Sequence, residues 1–407
     1  MAQNPETANN YRWVVLGVLW ITYIVVFLNR LSIGPLAPFL KRELDITSAQ
    51  VGMIMSAAAL GSMVTQIPIG RLVDRIGARW PMVVGELIAG TCMLMLFFAP
   101  SYIWLLILMF AAGLGLGCLM PSSTQAVIVW FPLKERATVM GLKQTAVNIG
   151  GVITAATLPI VALTWGWRYG FLFLGIIALV IGVTVFILYK EPSRPASLDP
   201  TDSADLPRAV PLLELLKNRE ILLVSLCGLC FAWVEFAVIG HLVLYLTEWL
   251  LVPVVMAGGM LAIAEVAGAI ARPGSGLLSD RVFGGHRKPV LIMMAIVASA
   301  MCLIIGFFGS YLSWAIYPIL FLLGVGGIGF GGMWLTMLGE FGGRHGVGTS
   351  VGLATVFSMC GSTIGPIAFG YIVDISGSYE LSWFSLAFMA ALCVLLFLFV
   401  REERRKI

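Results

Sequence analysis

Charged residues are scarce in this chain. Aspartate, glutamate, lysine and arginine make up 11% of its 407 residues, whereas hydrophobic residues make up 59%. Ordinary soluble domains carry roughly 25% charged residues. So few charges cannot cover a water-exposed surface, and the composition therefore excludes a soluble globular protein.

Histidine and cysteine are also poorly represented. The three histidines, His241, His286 and His345, are scattered, and no H-E-x-x-H motif occurs, so we expect no catalytic residue and no enzyme activity. The seven cysteines are odd in number and lie in apolar runs. Cys227 and Cys230 form a C-x-x-C without a second ligand pair, and we therefore predict no disulfide framework, metal site or cofactor.

Long apolar runs are the main feature that the sequence does have. Each run has about 20 residues or more, which is enough for a helix to cross a ~30 Å hydrocarbon layer. The runs predict an all-α protein embedded in the lipid bilayer. The twelve predicted spans are 13–37, 48–70, 81–99, 104–126, 138–162, 168–189, 219–246, 255–279, 289–309, 312–338, 348–370 and 379–400.

Lysine and arginine are distributed unevenly between the two sides of these spans. With a cytoplasmic N-terminus, about 19 of the 25 lie on the inside, and only Lys41, Arg42 and Arg168 lie on the outside. This bias predicts a multi-pass protein of the cell (inner) membrane with both termini in the cytoplasm. The net charge of +4 follows from the same asymmetry, so a nucleic-acid partner is not expected.

A long polar stretch from Lys190 to Glu220 divides the spans into two sets of six. It is rich in proline and acidic residues, as linkers often are. We predict an N-terminal six-helix bundle at 1–189, a cytoplasmic linker at 190–218 and a C-terminal six-helix bundle at 219–407.

The two predicted bundles carry related motifs. The sequence GRLVDRIGAR at 70–79 follows the second span, and GLLSDRVFGGHR at 276–287 follows the eighth. A second pair is ATVMGL at 137–142 and GTSVGL at 348–353. Such repeats are typical of transporters built from two equivalent bundles around a central site.

The loop after span 2, with its second copy after span 8, resembles the signature of the major facilitator superfamily. The resemblance covers nearly the whole chain. It implies the major facilitator fold, with twelve transmembrane helices in two six-helix bundles, in a protein that we expect to be a monomer. It also implies alternating access and a cytoplasmic gate at Asp74, Arg75, Asp280 and Arg281.

Shorter runs resemble branches of this superfamily that transport organic anions. FLNR at 27–30, WFPLKER at 130–136 and GWR at 166–168 are similar to the anion:cation symporters. HLVLYLT at 241–247, together with Arg272, is similar to the transporters of monocarboxylates and oxalate. The resemblance implies secondary active transport of a small organic anion, a carboxylate, by symport with protons.

Charged residues inside spans are the main site candidates, because each costs ~2.5 to 3.5 kcal/mol at the bilayer centre. Arg272 and Arg30 lie ~12 Å and ~16 Å along their helices from charged residues at the span ends. Because a guanidinium fork matches a carboxylate, we predict that both arginines face a shared cavity and bind the substrate. The alternative for Arg272 is an ion pair with a neighbouring carboxylate. Glu86 and Lys143 lie only ~10 Å from span ends. At that distance, their presence in a span is explained by a side chain that extends to the membrane surface or by an ion pair between helices.

Aspartates that carry protons in these branches are missing from their usual positions. Asn29 stands where many organic-anion symporters have one, and Gly268 stands where the monocarboxylate pattern has one. Glu235 and Glu265, both deep in spans, are the candidates to replace them, since burial favours the protonated carboxyl group. The alternative for each is a glutamate that hydrogen-bonds for helix packing.

Polar side chains of several spans complete the predicted substrate site. They are Tyr23, Asn29, Gln144, Asn148, His241, Thr355 and Ser358. Serine and threonine in spans often bond only their own helix backbone, which is the alternative for the last two.

Other transport functions are alternatives to proton symport. Exchange of one anion for another is the nearest. A drug/proton antiporter is less favoured, because Thr154 and Ala155 stand where that group has a Gly-Pro pair. A channel would show a repeated pore motif, which the sequence lacks.

The predicted orientation can be tested with reporter fusions. A cytoplasm-active reporter should work after Ser197, and a periplasm-active reporter should work between Ser376 and Glu380, because the positive residues lie on the cytoplasmic side. Periplasmic activity after Ser197, together with none at the second site, would overturn the topology.

Overall fold

The computed structural model describes residues 5–191, 218–311 and 313–402. Within these ranges the chain forms thirteen α-helices: α1 (Pro5–Arg30), α2 (Ile33–Leu44), α3 (Ser48–Ile76), α4 (Arg79–Leu96), α5 (Tyr102–Trp130), α6 (Leu133–Trp165), α7 (Trp167–Leu188), α8 (Arg219–Leu244), α9 (Val254–Val282), α10 (Lys288–Phe308), α11 (Ile316–Leu323), α12 (Gly331–Ser376) and α13 (Glu380–Phe399). The predicted linker at 190–218 lies, except at its ends, outside the described residues.

Twelve helical stretches in the described part of the chain are long and apolar enough to cross a membrane. They fall on the twelve runs that the hydropathy pattern predicts. The all-helical, twelve-span fold is thus confirmed. Helices suit this setting because they satisfy their backbone hydrogen bonds internally.

The first span is broken, where the sequence predicts one helix over 13–37. α1 ends at Arg30 and α2 begins at Ile33. The Ser32 hydroxyl donates to the Asn29 carbonyl at 2.8 Å and so covers a carbonyl at the end of α1. Pro35 stands in the first turn of α2, where its missing N–H leaves no helical bond unmade.

The end of span 10 and the whole of span 11 fall within α12, which has 46 helical residues. The Ser350 hydroxyl nevertheless donates to the Leu338 carbonyl at 3.4 Å. A straight helix would separate residues twelve apart by about 18 Å. The chain therefore reverses between these two residues, as two antiparallel spans require.

The helices form two compact units. Unit 1 comprises Met1–Ser32, Ala57–Thr154 and Ile160–Leu206. Unit 2 comprises Ile33–Ser56, Ala155–Pro159 and Pro207–Ile407. The segment Ile33–Ser56, which holds α2 and the start of α3, thus belongs with the C-terminal helices.

Small residues allow the helices to pack closely in both units. In unit 1, a Cβ added to Gly85 of α4 would lie 2.6 Å from the Gly115 carbonyl oxygen of α5. In unit 2, a Cβ added to Gly326 would lie 2.7 Å from the Ala298 nitrogen of α10. Spans 3 and 4 and their counterparts, spans 9 and 10, therefore use the same close contact.

An acidic side chain covers the N-terminus of one helix in each unit. In unit 1, Glu191 accepts the backbone N–H groups of Ala78 and Arg79 at 2.5 and 3.0 Å. In unit 2, Glu402 accepts those of Arg287 and Lys288 at 2.7 and 3.1 Å. Each glutamate lies three residues beyond the end of a helix, α7 or α13. The repeat therefore includes a matched pair of helix caps.

Removing either cap should destabilise its unit. Glu191→Ala or Glu402→Ala leaves two backbone N–H groups without their acceptor, so we expect each to cost about 1–2 kcal/mol of unfolding free energy. The measurement is denaturant unfolding of the purified protein in detergent. Glu→Gln at the same position keeps one acceptor oxygen and should lose less. Alanine variants as stable as wild type would contradict this role.

Candidate functional site

Arg272 lies in the third turn from the end of α9, directly before Pro273. Its side chain is 18% exposed, and Nη2 lies 3.9 Å from the Oε1 of Glu235 on α8. This distance exceeds that of a hydrogen bond. The guanidinium makes no side-chain hydrogen bond to any described residue, and its Nε is buried. Unit 2 therefore holds a guanidinium whose N–H donors make no side-chain hydrogen bond to the described residues.

The two predicted proton carriers are both in unit 2. The Glu235 side chain is 12% exposed and shares the loose ion pair with Arg272. Glu265 is on α9, two turns before Arg272, and is 2% exposed. The alternative predicted for Arg272, an ion pair with a neighbouring carboxylate, is thus met in part by Glu235. Their separation leaves the N–H donors of the guanidinium available to a ligand.

Three predicted site residues of α1 have different surroundings in unit 1. Tyr23 is 3% exposed and packs against Phe27. Asn29 is fully buried, and its amide donates to the Val25 carbonyl at 3.0 Å. Arg30 is half-buried, with its guanidinium carbon 5.9 Å from the centre of the Phe27 ring.

Glu86 and Lys143 are buried rather than directed to the surface. They are 0% and 2% exposed. Neither carboxylate oxygen of Glu86 has a hydrogen-bond partner among the described residues. The Lys143 ammonium lies 4.6 Å from the centre of the Tyr23 ring. The sequence reasoning ranked both residues below the arginines because it considered only their distance from the span ends.

The other predicted substrate residues are divided between the units. Gln144 is half-buried and Asn148 is 1% exposed, both on α6 of unit 1. In unit 2, the Thr355 hydroxyl donates to the Val351 carbonyl of its own helix at 2.7 Å, and Ser358 is half-buried. Their roles in binding stay predictions.

The predicted gate residues lie at exposed ends of α3 and α9. Asp74 and Arg75 are exposed, as are Asp280 and Arg281. In unit 2, Asp280 accepts a hydrogen bond of 2.5 Å from Arg287, which also reaches Glu340 at 3.4 Å. Burial alone would lower the pKa of the Arg287 guanidinium, but these two carboxylates raise it above its usual range.

A further polar group in unit 2, which we call the Ser48 cluster, consists of Lys41, Ser48, His241 and Asp374. Asp374 accepts the backbone N–H groups of Ser48 and Ala49 at 2.9 and 2.7 Å, at the start of α3. His241 Nε2 donates to the Ser48 carbonyl at 3.1 Å, and Lys41 donates to its hydroxyl at 3.0 Å. Every polar group of Ser48 is therefore engaged.

Sequence reasoning missed most of the Ser48 cluster. Of its members, only His241 was a site candidate, and it is fully buried against Phe369. Lys41 also pairs with Glu248 at 2.8 Å, and Glu248 accepts from the Tyr379 hydroxyl at 2.7 Å. These partners are too far apart in sequence for spacing to reveal them.

Comparison with known proteins agrees with this architecture. The sequence model of the Major Facilitator Superfamily matches residues 19–362. A probable sulfoacetate transporter, SauU of Cupriavidus necator, is 25% identical over 392 residues, which cover 91% of this chain and 89% of that protein. The hexuronate transporter of Bacillus subtilis is 25% identical over 399 residues, 94% of each chain.

A solved structure shares the fold. A bacterial homolog of the human lysosomal transporter Spinster, in its inward-facing and unoccupied conformation, superposes with a TM-score of 0.81 at 18% identity over 98% of each chain. At this identity the likeness shows the fold alone. With the family match, it establishes the class: this is a multi-pass membrane transporter and not an enzyme. The chain belongs to the Major Facilitator Superfamily.

Proposed function

We propose that the protein is a secondary active transporter that carries a small organic anion with a carboxylate group together with a proton. In this proposal it works as a monomer in the inner membrane by alternating access. Its halves at 1–189 and 219–407 are joined by a linker at 190–218 on the cytoplasmic side, where both termini also lie.

The observation that carries the proposal is the state of Arg272. A guanidinium is always charged, and in a span it is retained mainly where it has a functional partner. Here its nearest acid is 3.9 Å away, and no described residue accepts a hydrogen bond from its side chain. A carboxylate matches the geometry of the planar fork and would satisfy two donors at once.

The relatives support an organic acid as substrate. Two relatives at 25% identity are named as transporters of sulfoacetate and of hexuronate. Both compounds are small, and both carry a carboxylate. Neutral sugars have no group that would neutralise Arg272. We therefore expect sugars not to compete with the transported anion.

Proton coupling is assigned to Glu235 because of its distance from Arg272. An ionised Glu235 attracts the guanidinium and competes with the substrate carboxylate, whereas a protonated Glu235 does not. Protonation therefore favours substrate binding, and the two would move together. Exchange of anions without a proton is the alternative.

Replacing Arg272 should abolish substrate binding. We expect Arg272→Ala to weaken binding at least about 100-fold, because two charge-assisted hydrogen bonds are lost. Arg272→Lys keeps the charge but not the fork and should still weaken binding strongly, and Arg30→Lys should have a milder effect. The measurement is calorimetry with D-glucarate, D-glucuronate, succinate, L-lactate and sulfoacetate, with D-glucose as the neutral comparison.

The matched control for this series is Arg42→Ala. Arg42 is an exposed arginine of the same unit, and its removal should leave binding unchanged. Wild-type affinity in folded Arg272→Ala protein would refute the assignment. Failure of the wild type to bind any acid of the series would refute the proposed function itself.

Replacing Glu235 with glutamine should separate binding from coupling. Glutamine resembles the protonated carboxyl group but releases no proton, so we expect Glu235→Gln liposomes to retain counterflow and to lose accumulation driven by a proton gradient. Wild-type binding should tighten as the pH falls, and binding by the variant should not depend on pH. Glu265→Gln is the matched comparison.

The coupling proposal has clear contrary outcomes. If both glutamine variants accumulate substrate against a gradient as wild type does, neither glutamate is the carrier. If the wild type shows counterflow but no accumulation under a proton gradient, the protein is an anion exchanger.

A further inference from the structure

A small cavity lies at one end of unit 2, outside the site proposed above. Three spans meet there: the seventh ends at Trp249, the ninth ends at Phe308 and the twelfth begins at Glu380. The cavity has a volume of about 110 Å³, whereas one water molecule needs only roughly 15 Å³. Its lining includes Tyr245, Trp249, Tyr311, Glu380 and Trp383.

This cavity is far from the predicted gate residues of the same unit. α9 begins at Val254, five residues after Trp249, and its last turn holds Asp280 and Arg281. A helix of 29 residues is about 44 Å long. The cavity and the predicted gate therefore lie at opposite ends of unit 2.

The rim of the cavity is aromatic and exposed. Phe307 and Tyr311 belong to the lining, and Phe308 and Trp314 lie close to them in the chain. All four side chains are more than half exposed. Aromatic residues, tyrosine and tryptophan above all, gather where a membrane protein meets the lipid headgroups. The opening of the cavity is therefore at the level of the headgroups.

Two hydrogen-bond donors of the inner wall lack acceptors. The Tyr245 hydroxyl and the Trp383 indole N–H are buried, and neither has a hydrogen-bond partner among the described residues. The two rings contact each other edge to face, with their centres 5.1 Å apart. The hydroxyl ends against Gly309, a lining residue where a Cβ would collide with it. Since buried donors are normally bonded, a ligand of this cavity should present acceptor oxygens to them.

A carboxylate stands at the rim, one turn outward from these donors. Glu380 is exposed and precedes Trp383 by three residues, ~4.5 Å along α13. Trp249 is displaced from Tyr245 in the same outward direction by a π-helical turn. No lysine or arginine is among the described lining residues, and the rings of Trp249 and Tyr311 can attract a cation. The rim therefore suits a positively charged group.

The order of these groups defines the ligand. It needs acceptor oxygens at its inner end and a cation at its outer end. In a phospholipid with an ethanolamine headgroup, the phosphate lies nearer the hydrocarbon and the ammonium lies nearer the water, two carbons away. We infer that the cavity binds the headgroup of such an amine-bearing, zwitterionic phospholipid. The phosphate oxygens accept from Tyr245 and Trp383, and the ammonium donates to Glu380.

Other occupants satisfy less of the site. A simple amine leaves the two buried donors without acceptors, and an inorganic anion leaves the Glu380 carboxylate without a cation. A soluble zwitterion has both groups but no acyl chains, which the lipid can lay against the exposed apolar side chains beside the opening. The inference does not depend on which anion the protein transports.

The test measures lipid binding to the full-length protein, freed of lipid in detergent, by native mass spectrometry. The probes are dioleoyl phosphatidylethanolamine and dioleoyl phosphatidylglycerol, which share the phosphate and the acyl chains and differ in the ammonium. We expect the wild type to bind the first at least about 10-fold more tightly, because only that lipid donates a charge-assisted hydrogen bond to Glu380.

The carboxylate should account for this preference. Glu380→Gln is expected to reduce the difference between the two lipids to within about 2-fold, because the charge that attracts the ammonium is gone. The matched control is Glu43→Gln, which removes an exposed glutamate of the same unit that does not line the cavity. It should leave the preference unchanged.

The two donors should act on both lipids alike, since both carry a phosphate. Tyr245→Phe and Trp383→Phe are each expected to weaken both lipids about 5- to 10-fold and to leave their ratio unchanged. The matched control is Trp233→Phe, whose indole N–H also lacks a described partner but does not line the cavity. If Trp383→Phe does not fold, Tyr245→Phe decides, because it removes a single oxygen.

Several results would overturn the inference. It is wrong if the wild type binds the two lipids equally, if Glu380→Gln keeps the preference, or if Tyr245→Phe binds both lipids as the wild type does. Free O-phosphoethanolamine in large excess should not displace the lipid. If it does so in the wild type, and fails to do so in Glu380→Gln, the occupant is a soluble zwitterion and the lipid is excluded.

Discussion

Burial of charge in an apolar chain constrains the rest of this structure. An ionised side chain inside a span is costly unless a partner meets it. Near the ends of spans, Lys41 meets Glu248 at 2.8 Å, and Arg12 meets Glu135 at 3.1 Å. Against these contacts, the distant acid of Arg272 and the hydroxyl and ring beside Lys143 stand out. An anionic ligand can neutralise the positive charge that these contacts leave uncompensated.

The same constraint acts at the helix ends, where backbone N–H groups lack partners within the helix. Acidic side chains meet this need at the start of α3, at the start of α4 and beside the start of α10, through Asp374, Glu191 and Glu402. The last two occupy equivalent places in the repeat. Both halves thus place a carboxylate at the N-terminus of the equivalent helix, although their sequences share only short motifs.

Local sequence patterns predicted most of the fold, but they did not predict contacts between residues that are far apart in the sequence. A run of about 20 apolar residues specifies a span by itself, so the twelve spans follow from the sequence. The break at Leu31 and Ser32 depends on hydrogen bonds that hydropathy does not record. Asp374 meets Ser48 across more than 300 residues. Lys143 was undervalued because distance along a helix says nothing about which face is buried.

The Ser48 cluster is held largely through the main chain. Two of the three groups through which Ser48 is bound, its N–H and its carbonyl, do not depend on the serine side chain. Replacing Ser48 with alanine would therefore remove only the bond from Lys41, while Asp374 and His241 would keep their bonds to the backbone. Which residue stands at position 48 and how the chain is anchored there are thus separable properties.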